Sequence, residues 1–149
     1  MTLRWLIASI HLIALAIGVA AIFARARALR RARDPADLPA VFQADNLWGV
    51  AAVLWVATGL WRAFGGIEKG TAYYLGNPLF HAKLGLFVVV ALLEIRPMVS
   101  LVRWRRAATG GTPVDLGLAK LFARISDVQL GLVLGMVFLA TAIARGLGA

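Results

Sequence analysis

The stretch WLIASIHLIALAIGVAAIFA, residues 5–24, decides the fold. It contains no Asp, Glu, Lys or Arg, and a helix of this length at about 1.5 Å per residue spans the hydrocarbon core of a bilayer, about 30 Å. Only Arg4 precedes it as a charged residue, and an arginine run follows it, whereas a signal peptide ends in a small-residue cleavage site. We therefore predict a retained transmembrane helix.

Three further apolar segments follow, at residues 47–64, 79–95 and 128–144. The chain of 149 residues is 61% hydrophobic, with a mean hydropathy of +0.82. Soluble domains average about 45–50% apolar residues. The sequence predicts an all-α integral membrane protein in which residues 1–149 form one domain, an up-and-down bundle of four transmembrane helices.

Positive charge is concentrated in two segments, residues 25–44 and 96–125, and the net charge of the chain is +9. Because basic loops stay in the cytoplasm, we predict two cytoplasmic loops, both termini outside, and a multi-pass protein of the bacterial cytoplasmic (inner) membrane. We interpret the basic runs as topology signals and contacts with anionic lipids of the bilayer, with no nucleic-acid partner. The chain has no cysteine, which excludes disulfides, iron–sulfur clusters and thiolate metal sites.

Proline and glycine mark the predicted helix ends. DPADLPA at residues 34–40 and ATGGTPVD at residues 108–115 break the two basic segments. Asn77 followed by Pro78 is a good cap and first-turn residue for the third helix. Residues 97–106 mix apolar and basic side chains, so they either continue that helix beyond the membrane or lie in the interface.

Two histidines occupy matched positions in the first and third helices. His11 precedes Arg25 and His81 precedes Arg96 by nearly the same number of residues, which places both about 21–22 Å from the basic border. Because the first and third helices are diagonal in an up-and-down bundle, we predict that the two imidazoles face each other and ligate one haem iron. The alternatives are a hydrogen-bonded or proton-handling role and a copper site that includes Met136.

Four cations lie toward the end of the bundle that carries the termini: Arg62, Lys69, Lys83 and Arg145. They would pair with the propionates of a haem or porphyrin, or with lipid phosphates by snorkelling. Lys83 and His81 point roughly 200° apart on a regular helix. With His81 facing inward, we expect Lys83 to reach the outer surface.

Two acidic residues stand near the basic border. We expect Glu94 to pair with Arg96 or with an arginine of the second basic segment. We expect Asp127 to act as a helix cap or as a salt-bridge partner.

Three segments carry a resemblance to a known family: RWLIASIHLIALAIGV (4–19), NPLFHAKLGLF (77–87) and RISDVQLGLVLGMVFLATAIARG (124–146). With the residues between them, they closely resemble a family of small bacterial membrane proteins catalogued as a domain of unknown function. The resemblance covers nearly the whole chain. It implies four helices and no particular activity.

A more distant resemblance is to the HemJ-type protoporphyrinogen oxidases, which have a histidine in helix one and a His-x-Lys-Leu motif that opens helix three. These positions are His11 and HAKL, residues 81–84. The resemblance implies haem b binding and a membrane oxidoreductase that removes six electrons from protoporphyrinogen IX. ALLE (91–94) replaces a Tyr-His pair, and Ser126–Asp127 replaces Asn-Glu, which bears on the oxidase activity more than on the haem site. The chain is also similar to copper-resistance D-type membrane proteins.

Two functional hypotheses follow. In the first, the protein binds haem b or a related porphyrin between helices one and three, with His11 and His81 on the metal and Arg62, Lys83 and Arg145 nearby, for electron transfer or tetrapyrrole handling. In the second, it is a non-enzymatic accessory or scaffold subunit, and another membrane protein or a second copy of the chain is its partner.

Overall fold

The structure is a computed structural model that describes residues 2–66 and 68–148. The fold is all-α, with 85% of the described residues in helices and no strand among them. Four of the helices, α1, α2, α4 and α5, are long and apolar enough to cross a membrane, which confirms the predicted fold class. The helices are α1 (Thr2–Arg31), α2 (Leu38–Phe64), α3 (Thr71–Gly76), α4 (Pro78–Thr109) and α5 (Ala119–Ala144).

The four long helices extend well beyond the predicted spans. Most of residues 25–44 and 96–125, which we predicted to be loops, is helical, so the connections are only residues 32–37 and 110–118. The extensions are rich in Ala, Leu and Arg, which favour helix. They also share an apolar core of their own that includes Leu29, Leu101 and Phe122.

The predicted helix breaks lie where the helices end. Asp34 caps the 3₁₀ turn Pro35–Asp37, which links α1 to α2. Gly111 takes a positive φ of 67° just after α4. Asn77 accepts a hydrogen bond from the backbone N–H of Leu79 at 2.9 Å, as a helix cap does. Residues 97–106 continue α4, the first of the two predicted alternatives.

Neighbouring helices run antiparallel. α1 packs along α2 and α5, and α5 packs along α4, whereas α2 and α4 do not pack along each other. Arg25 in the last third of α1 meets Asp45 near the start of α2, and His11 near the start of α1 meets Thr58 near the end of α2. The bundle is therefore up-and-down, and its ring of helices is incomplete between α2 and α4. We call the end at which α1 begins and α5 ends the terminal end, and the opposite end the basic end.

A buried polar layer separates the apolar core of the basic end from the core in the middle of the bundle. Its centre is Arg25, whose side chain is 0% exposed. The guanidinium donates to Glu94 at 2.7 and 2.8 Å, to Asp45 at 2.9 Å, and to Gln129 at 2.9 Å. All four long helices meet here, because these residues lie on α1, α4, α2 and α5.

This layer corrects two expectations. Arg25 is a buried structural residue and not a loop charge, and Glu94 pairs with it instead of with Arg96 or the second basic segment. A buried arginine is tolerated only when its charge is compensated and its donors are satisfied. Asp127 forms an ion pair with Arg30, one of the two roles expected for it.

A candidate ligand-binding cavity at the terminal end

The bundle contains a cavity of about 360 Å³ at its terminal end. A smaller lobe of about 100 Å³ adjoins it between α2 and α4. We treat the two as the main lobe and side lobe of one cavity, because they share residues from all four long helices. The shared residues are His11, Trp55, Gly59, Ala63, Phe80, Lys83 and Met136.

His11 is held in one orientation by α2. Its Nδ1 lies 2.9 Å from the hydroxyl of Thr58, and that hydroxyl donates to the backbone carbonyl of Leu54 at 2.6 Å. The Thr58 hydroxyl has one hydrogen, so it must accept from Nδ1–H, and a neutral His11 ring then has its electron pair on Nε2. Nε2 makes no hydrogen bond within the described part of the chain. It is an oriented electron-pair donor at the cavity.

α2 supplies the wall beside this imidazole. Trp55 stacks on the His11 ring with centroids 5.9 Å apart, and its indole Nε1 is buried without a hydrogen-bond partner among the described residues. Gly59 leaves space for the ring, since a Cβ at this position would lie 3.2 Å from the Cε1 of His11. The helical spacing of Trp55, Gly59 and Arg62 puts all three on the cavity side of α2.

Lys83 lines both lobes of the cavity. It makes no ion pair and no hydrogen bond with the residues that the structure describes. Its place beside Arg62 and Lys69 in the main lobe agrees with a side chain directed toward the terminal end, and that it reaches the outer surface stays a prediction. An ammonium group at membrane depth is costly unless an anion or water accompanies it, so this lysine marks the part of the cavity that favours negative charge.

His81 points the other way. It is exposed, and its Nε2 bonds to the backbone carbonyl of Leu75 at 2.8 Å. The prediction that His81 faces His11 is wrong, and the structure forms no site with both imidazoles. The inward stripe of α4 consists of Phe80, Lys83, Leu84 and Phe87, and position 81 falls outside it.

The remaining predicted cations are placed differently from one another. Arg62 lines the main lobe and pairs with Glu68 through an Nε–Oε1 distance of 3.0 Å. Lys69 also lines the main lobe, where its Nζ donates to the carbonyls of Ile143 and Ala144 at 3.1 and 3.2 Å. Arg145 is exposed and is not part of the lining, so the structure does not bring it to the site.

Met136 is the sulfur side chain that lines both lobes, on the α5 side of the cavity. Among residues 2–66 and 68–148, no group of three or more His, Cys, Asp or Glu side chains is arranged to hold a metal ion. His11 is the single imidazole of the cavity. The imidazole nitrogen of His11 and the thioether of Met136 are the nitrogen and sulfur ligands that the cavity lining offers a metal, beside the Glu68 carboxylate that pairs with Arg62.

The family model described as "predicted membrane protein (DUF2214)" matches residues 3–148. The chain belongs to this family. DUF2214 membership agrees with the resemblance to a family of uncharacterised membrane proteins that the three quoted segments carry. No curated protein and no solved structure matches this DUF2214 protein. The more distant resemblance to HemJ-type oxidases and copper-resistance D-type proteins, and a partner protein or second copy, stay predictions.

Proposed function

We propose that this DUF2214 protein binds an amphiphilic, acidic ligand inside the bacterial cytoplasmic membrane, and that haem b or a related porphyrin is that ligand. The observation that carries the proposal is that Lys83, which has no ion-pair or hydrogen-bond partner among the described residues, lines the same intramembrane cavity as the imidazole of His11. A cation without a partner at this depth favours a bound anion. The apolar side lobe favours a ligand with a large hydrophobic body.

Acidic groups of the ligand have several donors available. Lys83 and Arg62 both line the main lobe, and charge-assisted hydrogen bonds to carboxylates are about twice as strong as neutral ones. The two propionates of a porphyrin suit this set of donors.

The residues also fit a metallated porphyrin, with one change from the prediction. Metal-ligating histidines generally bond through their other ring nitrogen to a group that fixes the ring, and Thr58 does this for His11. His81 lies outside the cavity, so His11 would hold the metal, and Met136 is the sulfur side chain that could join it there. A bound haem would supply one-electron transfer, while the chain orients it, neutralises its propionates and limits its contact with water.

The test is the visible spectrum of the protein purified in mild detergent with haem supplied during expression, in the oxidised and dithionite-reduced states. We expect a Soret band, and we expect His11→Ala to weaken or shift it. His81→Ala is the matched control and should leave the spectrum unchanged, because its side chain lies outside the cavity.

A colourless protein that also fails to bind added haem or protoporphyrin would overturn the proposal. The accessory-subunit hypothesis would then be the remaining one. A Soret band that His81→Ala abolishes and His11→Ala leaves intact would contradict the assignment of the ligand.

A further inference from the structure

The cavity is open to one side of the bundle, between α2 and α4. We infer that its ligand enters and leaves from the hydrocarbon of the bilayer through this gap, which we call the portal. The inference rests on the proposed function, and it adds that the ligand is one that partitions into the membrane before it binds. The portal is lined by Val56, Leu60 and Phe64 of α2 and by Leu84 and Phe87 of α4.

Two bridges between α2 and α4 bound the portal. At the basic end, Arg105 of α4 donates to Asp45 of α2 at 2.9 Å and to the carbonyl of Phe42 at 3.1 Å. At the terminal end, the rings of Phe64 and Phe80 meet edge to face, with centroids 6.2 Å apart. Because α2 and α4 are not packed along each other between these bridges, the gap lies at the depth of the side lobe.

The portal faces the part of the bundle surface that lipid covers. Leu60 is 52% exposed and Phe64 is 43% exposed, and both lie in a helix apolar enough to span a membrane. All five portal residues are apolar, so the passage offers an acidic group no partner until it reaches Lys83. A ligand whose hydrophobic body enters the portal first and whose acidic group follows would contact apolar side chains and then Lys83.

The terminal end of the cavity is covered by the segment between α2 and α4, residues 65–66 and 68–77, which we call the terminal cap. Lys69 and the hydroxyl of Tyr73 both donate to the carbonyl of Ile143, at 3.1 and 3.0 Å. The side-chain amide of Asn77 donates to the carbonyl of Leu147 at 3.0 Å. These bonds fasten the segment to the end of α5. A bulky ligand arriving from the aqueous side would have to break them, whereas the portal needs no hydrogen bond broken.

The absence of native cysteine makes a cross-linking test direct. Leu60→Cys combined with Leu84→Cys places one thiol on each side of the portal, and a bis-maleimide then ties α2 to α4. The protein is reconstituted in phosphatidylcholine vesicles, and transfer of protoporphyrin IX from a second vesicle population is followed by its fluorescence. The transfer rate of each variant is measured before and after cross-linking, so that each variant is its own reference.

We expect cross-linking of the portal to slow both loading and release by about tenfold or more, because the linker obstructs the gap and the remaining route requires the terminal end to open, and association is slower when it requires a conformational change. The matched control pair is Tyr73→Cys with Arg145→Cys, which ties down the terminal cap, and its cross-link should leave the loading rate unchanged. Monofunctional maleimide on the portal pair controls for modification alone.

The outcomes separate this inference from the proposed function. If protoporphyrin binds before cross-linking and the portal cross-link leaves its loading rate unchanged, the portal is overturned and the ligand site stands. Slower loading on cross-linking the terminal cap would instead assign access to the aqueous end. If none of the proteins binds protoporphyrin or haem at equilibrium, the proposed function itself fails.

Discussion

Arg25 of α1 and Glu94 of α4 form a two-pronged ion pair across the diagonal of the bundle, with Nη1–Oε1 at 2.7 Å and Nη2–Oε2 at 2.8 Å. Gln129 of α5 also donates to Glu94 at 2.7 Å, and Asp45 of α2 accepts from Arg25. This polar layer connects all four long helices. It lies on the basic-end side of the cavity, which is open between α2 and α4. Through Arg25 it connects Asp45 of α2 with Glu94 of α4, the two helices that do not pack along each other.

Glu94→Gln is expected to destabilise the protein by about 3–5 kcal/mol, because it leaves the buried Arg25 without its main counter-charge. The measurement is the thermal unfolding temperature in detergent, followed by circular dichroism. Arg96→Gln is the matched control, two residues along the same helix and exposed, and it should leave the unfolding temperature unchanged. Equal losses in both variants would contradict the account of the polar layer.

Gly59→Ala is expected to lower the affinity for haem or protoporphyrin by about tenfold, which is about 1.4 kcal/mol. The new Cβ would lie 3.2 Å from the Cε1 of His11 and would displace the imidazole. Gly49→Ala, also in α2, meets nothing within 4 Å and should not change the affinity. Fluorescence or Soret titration of the two variants measures the difference. Similar affinities for both variants would show that the ring position does not depend on Gly59.

Thr58→Val is expected to reduce haem affinity by about 10–100-fold, because the hydroxyl that orients the His11 ring is lost. Thr58→Ser keeps the hydroxyl and should restore most of the affinity. The Soret position and the haem titration report the effect, and the far-ultraviolet circular dichroism of both variants should match that of the wild type. A valine variant that binds haem as tightly as the serine variant would remove Thr58 from the site.

Lys83→Gln is expected to weaken the binding of protoporphyrin IX by about tenfold and to leave a smaller dependence on salt, since a charge-assisted hydrogen bond is lost. Arg145→Gln is the matched control and should not change binding, because its side chain lies outside the cavity. Titrations at low and high ionic strength make the comparison. A larger loss from Arg145→Gln than from Lys83→Gln would reverse the assignment of the anion site.

The sequence predicts the four spans well because hydropathy and length depend on composition alone, as residues 5–24 illustrate. It predicts the helix ends at the basic border poorly. There the helices are stabilised by contacts such as those of Leu29 with its apolar core, and the arginine content indicated loops. Among the arginines that follow the first span, Arg25 is the one that points into the bundle. Its orientation depends on the positions of Asp45 and Glu94, which lie on other helices.

At the site, we predicted from residue chemistry that His81 faces the interior of the bundle. The structure instead places Lys83 in the cavity lining and His81 outside it. The apolar stripe of Phe80, Leu84 and Phe87 was the signal that could have decided the orientation of α4. No sequence pattern indicated that Thr58 belongs to the site, because a lone threonine in a transmembrane helix commonly donates to a backbone carbonyl of the same helix. Its contact with His11 depends on how α1 and α2 pack.

The most direct test of an acid-binding intramembrane cavity compares protoporphyrin IX with its dimethyl ester, which has the same ring and no carboxylate. Equilibrium titrations are made with the purified wild type and with Lys83→Gln. The account predicts that the wild type prefers the diacid by about tenfold or more, and that Lys83→Gln removes most of this preference. Equal affinity of the wild type for the diacid and the ester would contradict it.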